Sequence, residues 1–347
     1  MVRPSVAHVL VCISLLLACA VRAAPEQPVG KMPVVIAPGF LGWNQLPVFD
    51  RYLETIAAGL EADGRVVVVV QSPAIASSTV RARALATAVE QARQLAHAER
   101  VVILAHSQGG LDTRLALKDP GVRSHVGAVA TLATPHQGTP VASWGQRFPS
   151  FVMDAVLMPV QWAWELAEPM DVSRRSLADS AGAFSSLSLG AEGVSLRQRR
   201  ATLDANGIPA SDDGVPFFSV AGFTGAFREG DHSCDGGRWS TPRVTDDVGP
   251  LMAFGPVVHQ LEGWALANDG IVPAATARYG IFLGCVPADH VDWLGWHENL
   301  PGRPAPFDEV AFARVLVVGL EAAAVDGAGA MERYLPHLAA LARAHPR

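Results

Sequence analysis

Residues 101–110 read Val-Val-Ile-Leu-Ala-His-Ser-Gln-Gly-Gly. The first five are apolar and rich in β-branched side chains, the composition of a strand buried on both faces. Two glycines follow, and Gly109 to Lys118 then carries helical spacing until Pro120-Gly121. A strand that passes through small-x-Ser-x-Gly into a helix describes a sharp turn that lifts the serine hydroxyl clear of the sheet. Ala105 stands where the first glycine of that pattern is usual, and its single methyl still suits the close approach of strand and helix. Ser107 is therefore the candidate nucleophile, and this stretch fixes the class of fold around it.

Working outward, Lys31–Ala37, Arg65–Gln71 and Gly127–Ala133 are further apolar runs of strand length. Pro47–Ala62 and Ser77–Glu99 are helical by spacing, so the order is βαβαβαβ. Apolar strands alternating with helices predict an α/β chain with a mostly parallel central sheet covered on both faces. Val215–Ala221 returns as a strand, Phe307–Val325 is an apolar helix, and a last helix runs towards His345 with Pro336 in its first turn. The rhythm breaks after Gly138. Ala142–Met170 is rich in Trp, Phe and Met without a strand, and the segment of about 140–200 reads as a helical lid insert, with a helical pair completing the core as the alternative. Asp231–Pro250 reads as loop.

A serine hydroxyl needs a base to take its proton, and the base needs an acid to orient it. In a fold of this kind both follow the serine in chain order. Asp269, in Asn268-Asp269-Gly270-Ile271-Val272-Pro273, and His290, in Ala288-Asp289-His290-Val291-Asp292, occupy suitable loops. His297 competes for the base, and Asp246, Asp247 and Asp289 compete for the acid. His106 and His136 precede any such acid and read as structural. His259 lies in a helix-like segment. An oxyanion needs N–H donors. Gln108, directly after the nucleophile, offers one. Phe40, in the Pro38-Gly39-Phe40-Leu41-Gly42 loop after the first strand, offers the other.

Composition narrows the setting. The 347 residues are 50% hydrophobic and 17% charged, with a net charge of −6, which supports a sizeable core and speaks against a nucleic-acid surface. Residues 1–24 have a basic start, an apolar stretch and small residues at Ala23-Ala24, the pattern of a signal peptide, leaving 25–347 as a single domain. A lipoprotein anchored through Cys19 is the minor alternative. Cys12 and Cys19 fall within the leader. Cys234 and Cys285 remain, and in an exported chain they suggest one disulfide, two free thiols being the alternative.

Five motifs, in order, resemble the bacterial triacylglycerol lipases of the Pseudomonas and Burkholderia type: IAPGFLG at 36–42, ILAHSQGG at 103–110, LATPHQGTPVA at 132–142, NDGIVP at 268–273 and DHVDWLG at 289–295. The resemblance implies an α/β-hydrolase fold and a secreted lipase whose nucleophile, acid and base fall on Ser107, Asp269 and His290. It also implies no cofactor for the chemistry and a structural Ca²⁺ held by Asp292 and by Asp246 or Asp247. A lipid–water interface, a foldase chaperone and a monomeric state are further expectations from it. Pro38 departs from the pattern, since the family usually has His there. Weighed beside a lipase are a short-chain carboxylesterase, a polyhydroxyalkanoate depolymerase and, from a different class, a non-catalytic lipid-binding protein.

Overall fold

The structure is a computed structural model, and it describes residues 31–42, 51–149, 154, 179–188, 211–212, 214–224, 232–239, 253–263, 267–296 and 308–343. The expected leader at 1–24, most of the expected lid at 140–200, and Asp246, Asp247 and His297 lie outside the described residues. Met32–Arg347 forms one compact unit.

Six strands run parallel in the order β2-β1-β3-β4-β6-β7: β1 Val34–Ala37, β2 Val67–Val69, β3 Val101–His106, β4 Val126–Leu132, β6 Val215–Phe223 and β7 Ile281–Pro287. The short β5, Ser211–Asp212, adds an antiparallel pairing at the start of β6. Side chains alternate across the sheet, as the pleat requires. Val34, Ile36, Val102 and Leu104 point into one core, with α1 (Glu54–Ala62) and α8 (Glu309–Asp326) over them. Val35, Ala37, Val101, Ile103 and Ala105 point into the other, against Ala82, Leu85 and Val89 of α2 (Ser78–Ala96). Both faces are covered, which is why these strands read as continuous apolar runs.

The described helices also include α3 Gln108–Ala116, α4 Pro120–Ser124, α5 Pro140–Gly145, α6 Ser180–Leu187, α7 Phe254–Leu261 and α9 Leu335–Leu341. Pro120 opens α4 rather than only ending α3. Its missing N–H costs nothing in a first helical turn, and Asp119 caps the Gly121 N–H. β7 is a strand that the sequence reading leaves out. Among the described residues no helix is long and apolar enough to cross a membrane.

Candidate active site

β3 ends at His106 and α3 begins at Gln108, so Ser107 is the turn itself. Its φ of 53° and ψ of −127° place it in left-handed territory that a side chain adopts only under constraint. The constraint is visible on both sides. The Ser107 N–H donates to Leu132 O at 3.0 Å, and α3 presses so closely on β1 that a Cβ at Gly109 would lie 2.2 Å from Ala37 O. The sharp turn leaves the hydroxyl of Ser107 at the carboxyl end of the sheet.

Strands β6 and β7, beyond β4, deliver its partners to the same end of the sheet. After β6, Thr224 pairs with Asn268, which brings Asp269 back to the strand end across a long excursion. After β7, His290 follows within three residues. His290 Nε2 lies 2.8 Å from Ser107 Oγ, and His290 Nδ1 lies 2.7 Å from Asp269 Oδ2. Asp269 is fully buried, and its Oδ1 accepts the Ile271 and Val272 N–H groups at 2.9 and 2.6 Å. These bonds satisfy a carboxylate that burial would otherwise penalise. The structure thus joins Ser107, His290 and Asp269 in one run of hydrogen bonds.

The loop after β1 closes over the serine. A Cβ at Gly39 would stand 2.8 Å from Ser107 Cβ, so only glycine admits this approach. Gly39 O accepts from the Arg81 guanidinium at 2.9 Å and from the Gly42 N–H at 3.0 Å. No peptide among the described residues is cis, so the next N–H, that of Phe40, points opposite to that carbonyl and away from Arg81. Arg81 is itself fully buried. It also donates to Pro38 O at 2.6 Å and Pro73 O at 2.9 Å and pairs with Asp112 at 2.8 Å. The Phe40 ring packs 5.9 Å from Phe184 of α6. Gln108 opens α3, where a backbone N–H has no helical acceptor. Its side chain reaches away to Ala76 O at 2.9 Å, leaving that N–H beside Ser107. The sequence reading leaves out Arg81, whose signal is a charge one turn before Leu85 on the buried face of α2.

The remaining candidates fall elsewhere. His106 is buried, with Nδ1 2.7 Å from the Tyr52 hydroxyl and its ring 4.8 Å from that of His290. Burial holds its pKa well below the ordinary histidine value, and the nearby His290 lowers it further, with the His290 backbone opposing. His136 is buried against Tyr279, with Nε2 3.0 Å from Thr131 Oγ1, and its pKa is likewise depressed by burial and then by Arg114. His259 bonds Ile271 O at 3.1 Å. Asp289 and Asp292 are fully buried and cap their own loop. Asp289 Oδ1 accepts the Val291 and Asp292 N–H groups, and Asp292 Oδ2 accepts the Asp289 N–H. Asp292, one of the expected calcium ligands, is thus placed in the loop of His290, and Asp246 and Asp247 lie outside the described residues. Cys234 and Cys285 are joined in a disulfide that ties the 232–239 loop to β7.

No protein-family profile matches the chain. Its structure is similar to phospholipase PlaB from Legionella pneumophila, with a TM-score of 0.52 and 14% identity over 89% of this chain and 64% of that one. It is similar to a metagenomic carboxyl esterase, with a TM-score of 0.50 and 20% identity over 92% of this chain and 78% of that one. A Bacillus licheniformis lipase in mature form gives a TM-score of 0.48 at 22% identity, over 78% of this chain and 89% of that one. With the strand order and the turn at Ser107, the first two likenesses identify the α/β-hydrolase fold. The narrower resemblance to Pseudomonas and Burkholderia lipases rests on the five sequence motifs.

Proposed function

We propose that the protein is a serine-nucleophile carboxylic ester hydrolase, with triacylglycerols as its substrate class. The observation that carries this reading is the unbroken run from Ser107 Oγ through the His290 ring to Asp269 Oδ2, with both contacts under 3 Å. Ser107 Oγ attacks the ester carbonyl while His290 Nε2 takes its proton. The carbonyl oxygen becomes an oxyanion held by the N–H groups of Phe40 and Gln108. Asp269 keeps the His290 proton on Nδ1 and stabilises the imidazolium. Collapse of the tetrahedral adduct breaks the ester C–O bond, and His290 returns its proton to the leaving alcohol. Water then attacks the acyl-serine along the same route, releasing the acid and restoring Ser107.

Lipid as the substrate is supported by exposed apolar side chains on α5, the turn after it and α7. Trp144, Phe148, Phe254, Val257 and Leu261 are 37–73% exposed, and the first two pack ring to ring at 5.0 Å. Export is part of the same proposal and is supported by the Cys234–Cys285 disulfide, a bond that persists in oxidising compartments.

Labelling with a fluorophosphonate tests the chemistry. Wild type should label and lose esterase activity, and Ser107→Ala should do neither. Equal labelling of Ser107→Ala would sink the assignment. Activity on a triglyceride should rise above the substrate's solubility limit, whereas an enzyme confined to soluble short-chain esters shows no such rise.

A further inference from the structure

We propose that Tyr52 and His106 are positioning residues that tie the oxyanion loop to the base, resting on the ester-hydrolase reading above. Tyr52 is buried two residues before α1, and its hydroxyl meets two groups. It lies against Gly39, where a Cβ would come within 2.7 Å of the oxygen, and it is hydrogen-bonded to the Gly39 backbone. It also lies 2.7 Å from His106 Nδ1. Burial raises the Tyr52 pKa, and the Gly39 bond opposes the rise, as a backbone N–H donating to the phenol oxygen does. The hydroxyl proton is then left for Nδ1, which puts the His106 ring proton on Nε2.

The run therefore goes from the Gly39 N–H through the Tyr52 hydroxyl to His106, whose ring packs 4.8 Å from His290 and whose backbone leads into Ser107. Gly39 is held by Tyr52 at its N–H and by Arg81 and the Gly42 N–H at its carbonyl. The Gly39–Phe40 peptide carries the proposed oxyanion donor on its other side, so holding Gly39 aims that donor. Leu53, the residue after Tyr52, is a buried leucine at φ 55°, left-handed backbone that a non-glycine residue adopts only where its surroundings demand it. Loss of the hydroxyl frees the Gly39 N–H and leaves the buried His106 Nδ1 without its donor, while every group that touches substrate remains.

The test is a double-mutant cycle on Tyr52→Phe and His106→Phe, with kcat for a p-nitrophenyl ester expressed per site titrated by fluorophosphonate, so that misfolded protein is not counted. Each single variant should lose about 10-fold in kcat, the scale of a small misplacement in a reacting site, with KM within about 2-fold. The double variant should be no worse than the poorer single, because both remove one interaction. His106→Asn, which keeps an acceptor where Nδ1 stands, should recover most of the loss. A Tyr52→Phe enzyme with lowered Tm and unchanged kcat would overturn the proposal, as would multiplicative losses in the double variant. A wild type that fails to label overturns the ester-hydrolase reading itself. A wild type that labels beside an unimpaired Tyr52→Phe overturns only the positioning role.

Discussion

Asp269 and His290 are joined twice, once through their side chains at 2.7 Å and once through the backbone, where the His290 N–H donates to Asp269 O at 2.8 Å. The second bond fixes the two loops to each other, so the imidazole cannot drift from its acid without breaking main-chain structure. Asp269→Asn isolates the first bond. The asparagine carbonyl can still accept the Ile271 and Val272 N–H groups, but its amide would present a donor to Nδ1 and favour the wrong tautomer. We expect kcat to fall by about ten-thousand-fold with the thermal melt nearly unchanged. Retention of a tenth of the wild-type kcat would remove Asp269 from the mechanism.

Gly109 marks where α3 crosses β1. A methyl there meets the main-chain oxygen of Ala37 at 2.2 Å, and a strand paired on both sides cannot step aside. Gly109→Ala should cost about 3 kcal/mol or more, at the upper end of overpacking penalties, read as a fall in urea midpoint or as insoluble protein. Ala105→Gly lies on the other side of the elbow and clashes with nothing. It should cost only about 1 kcal/mol through chain entropy, with kcat retained.

The contrast between these two positions shows what the sequence could carry. The β3–Ser107–α3 unit was legible because a β-branched run, a turn and a helix lie within sixteen residues. β7 was not legible. Its Gly284, Cys285 and Pro287 break the look of a strand, yet Gly284 is there because a Cβ would strike the Trp239 indole at 2.6 Å, and that indole donates to Cys285 O. The placement of His290 depends on this strand, so its loop was legible as a motif but its strand was hidden. Arg81 and Tyr52 were hidden for a related reason. Both are polar groups inside apolar stripes, and hydrophobic periodicity cannot distinguish a buried guanidinium that serves backbone carbonyls from a solvated one. The exposed aromatics of α5 and the turn after it were visible as composition, but their exposure was not.

Buried neutral histidines set the acid limit of stability. Burial depresses His106 and His136 well below the ordinary value, and His259 less so. Each native pKa is below the unfolded one, near 6.5. The stabilisation is therefore complete above about pH 6.5 and is lost as pH falls towards the native values, because the unfolded chain takes up protons that the native fold refuses. Each group contributes a slope of about 1.4 kcal/mol per pH unit in that window. Urea midpoints should be flat from pH 8 to 7 and fall from 6.5 to 5. His136→Gln, which cannot take up the proton, should give a shallower fall. A slope identical to wild type would contradict the assignment for His136.

The disulfide acts on the same edge of the sheet from outside the chemistry. Cys285 lies on β7, five residues before His290, and its partner Cys234 is 51 residues upstream. Closing a loop of that length removes unfolded-state entropy worth about 4 kcal/mol at 25 °C when the geometry is relaxed. The bond touches neither Ser107 nor Asp269, and the 232–239 loop keeps a second attachment through the Trp239 indole and the Arg238 N–H, which donate to Cys285 O and Leu283 O. Cys234→Ser/Cys285→Ser should therefore melt well below wild type while keeping kcat at 25 °C within about 2-fold, since folded-state contacts at the triad are untouched. Dithiothreitol should lower the wild-type Tm to that of the double variant and leave the double variant unmoved. Loss of activity at 25 °C in a folded double variant would instead make the bond a direct brace of the His290 loop.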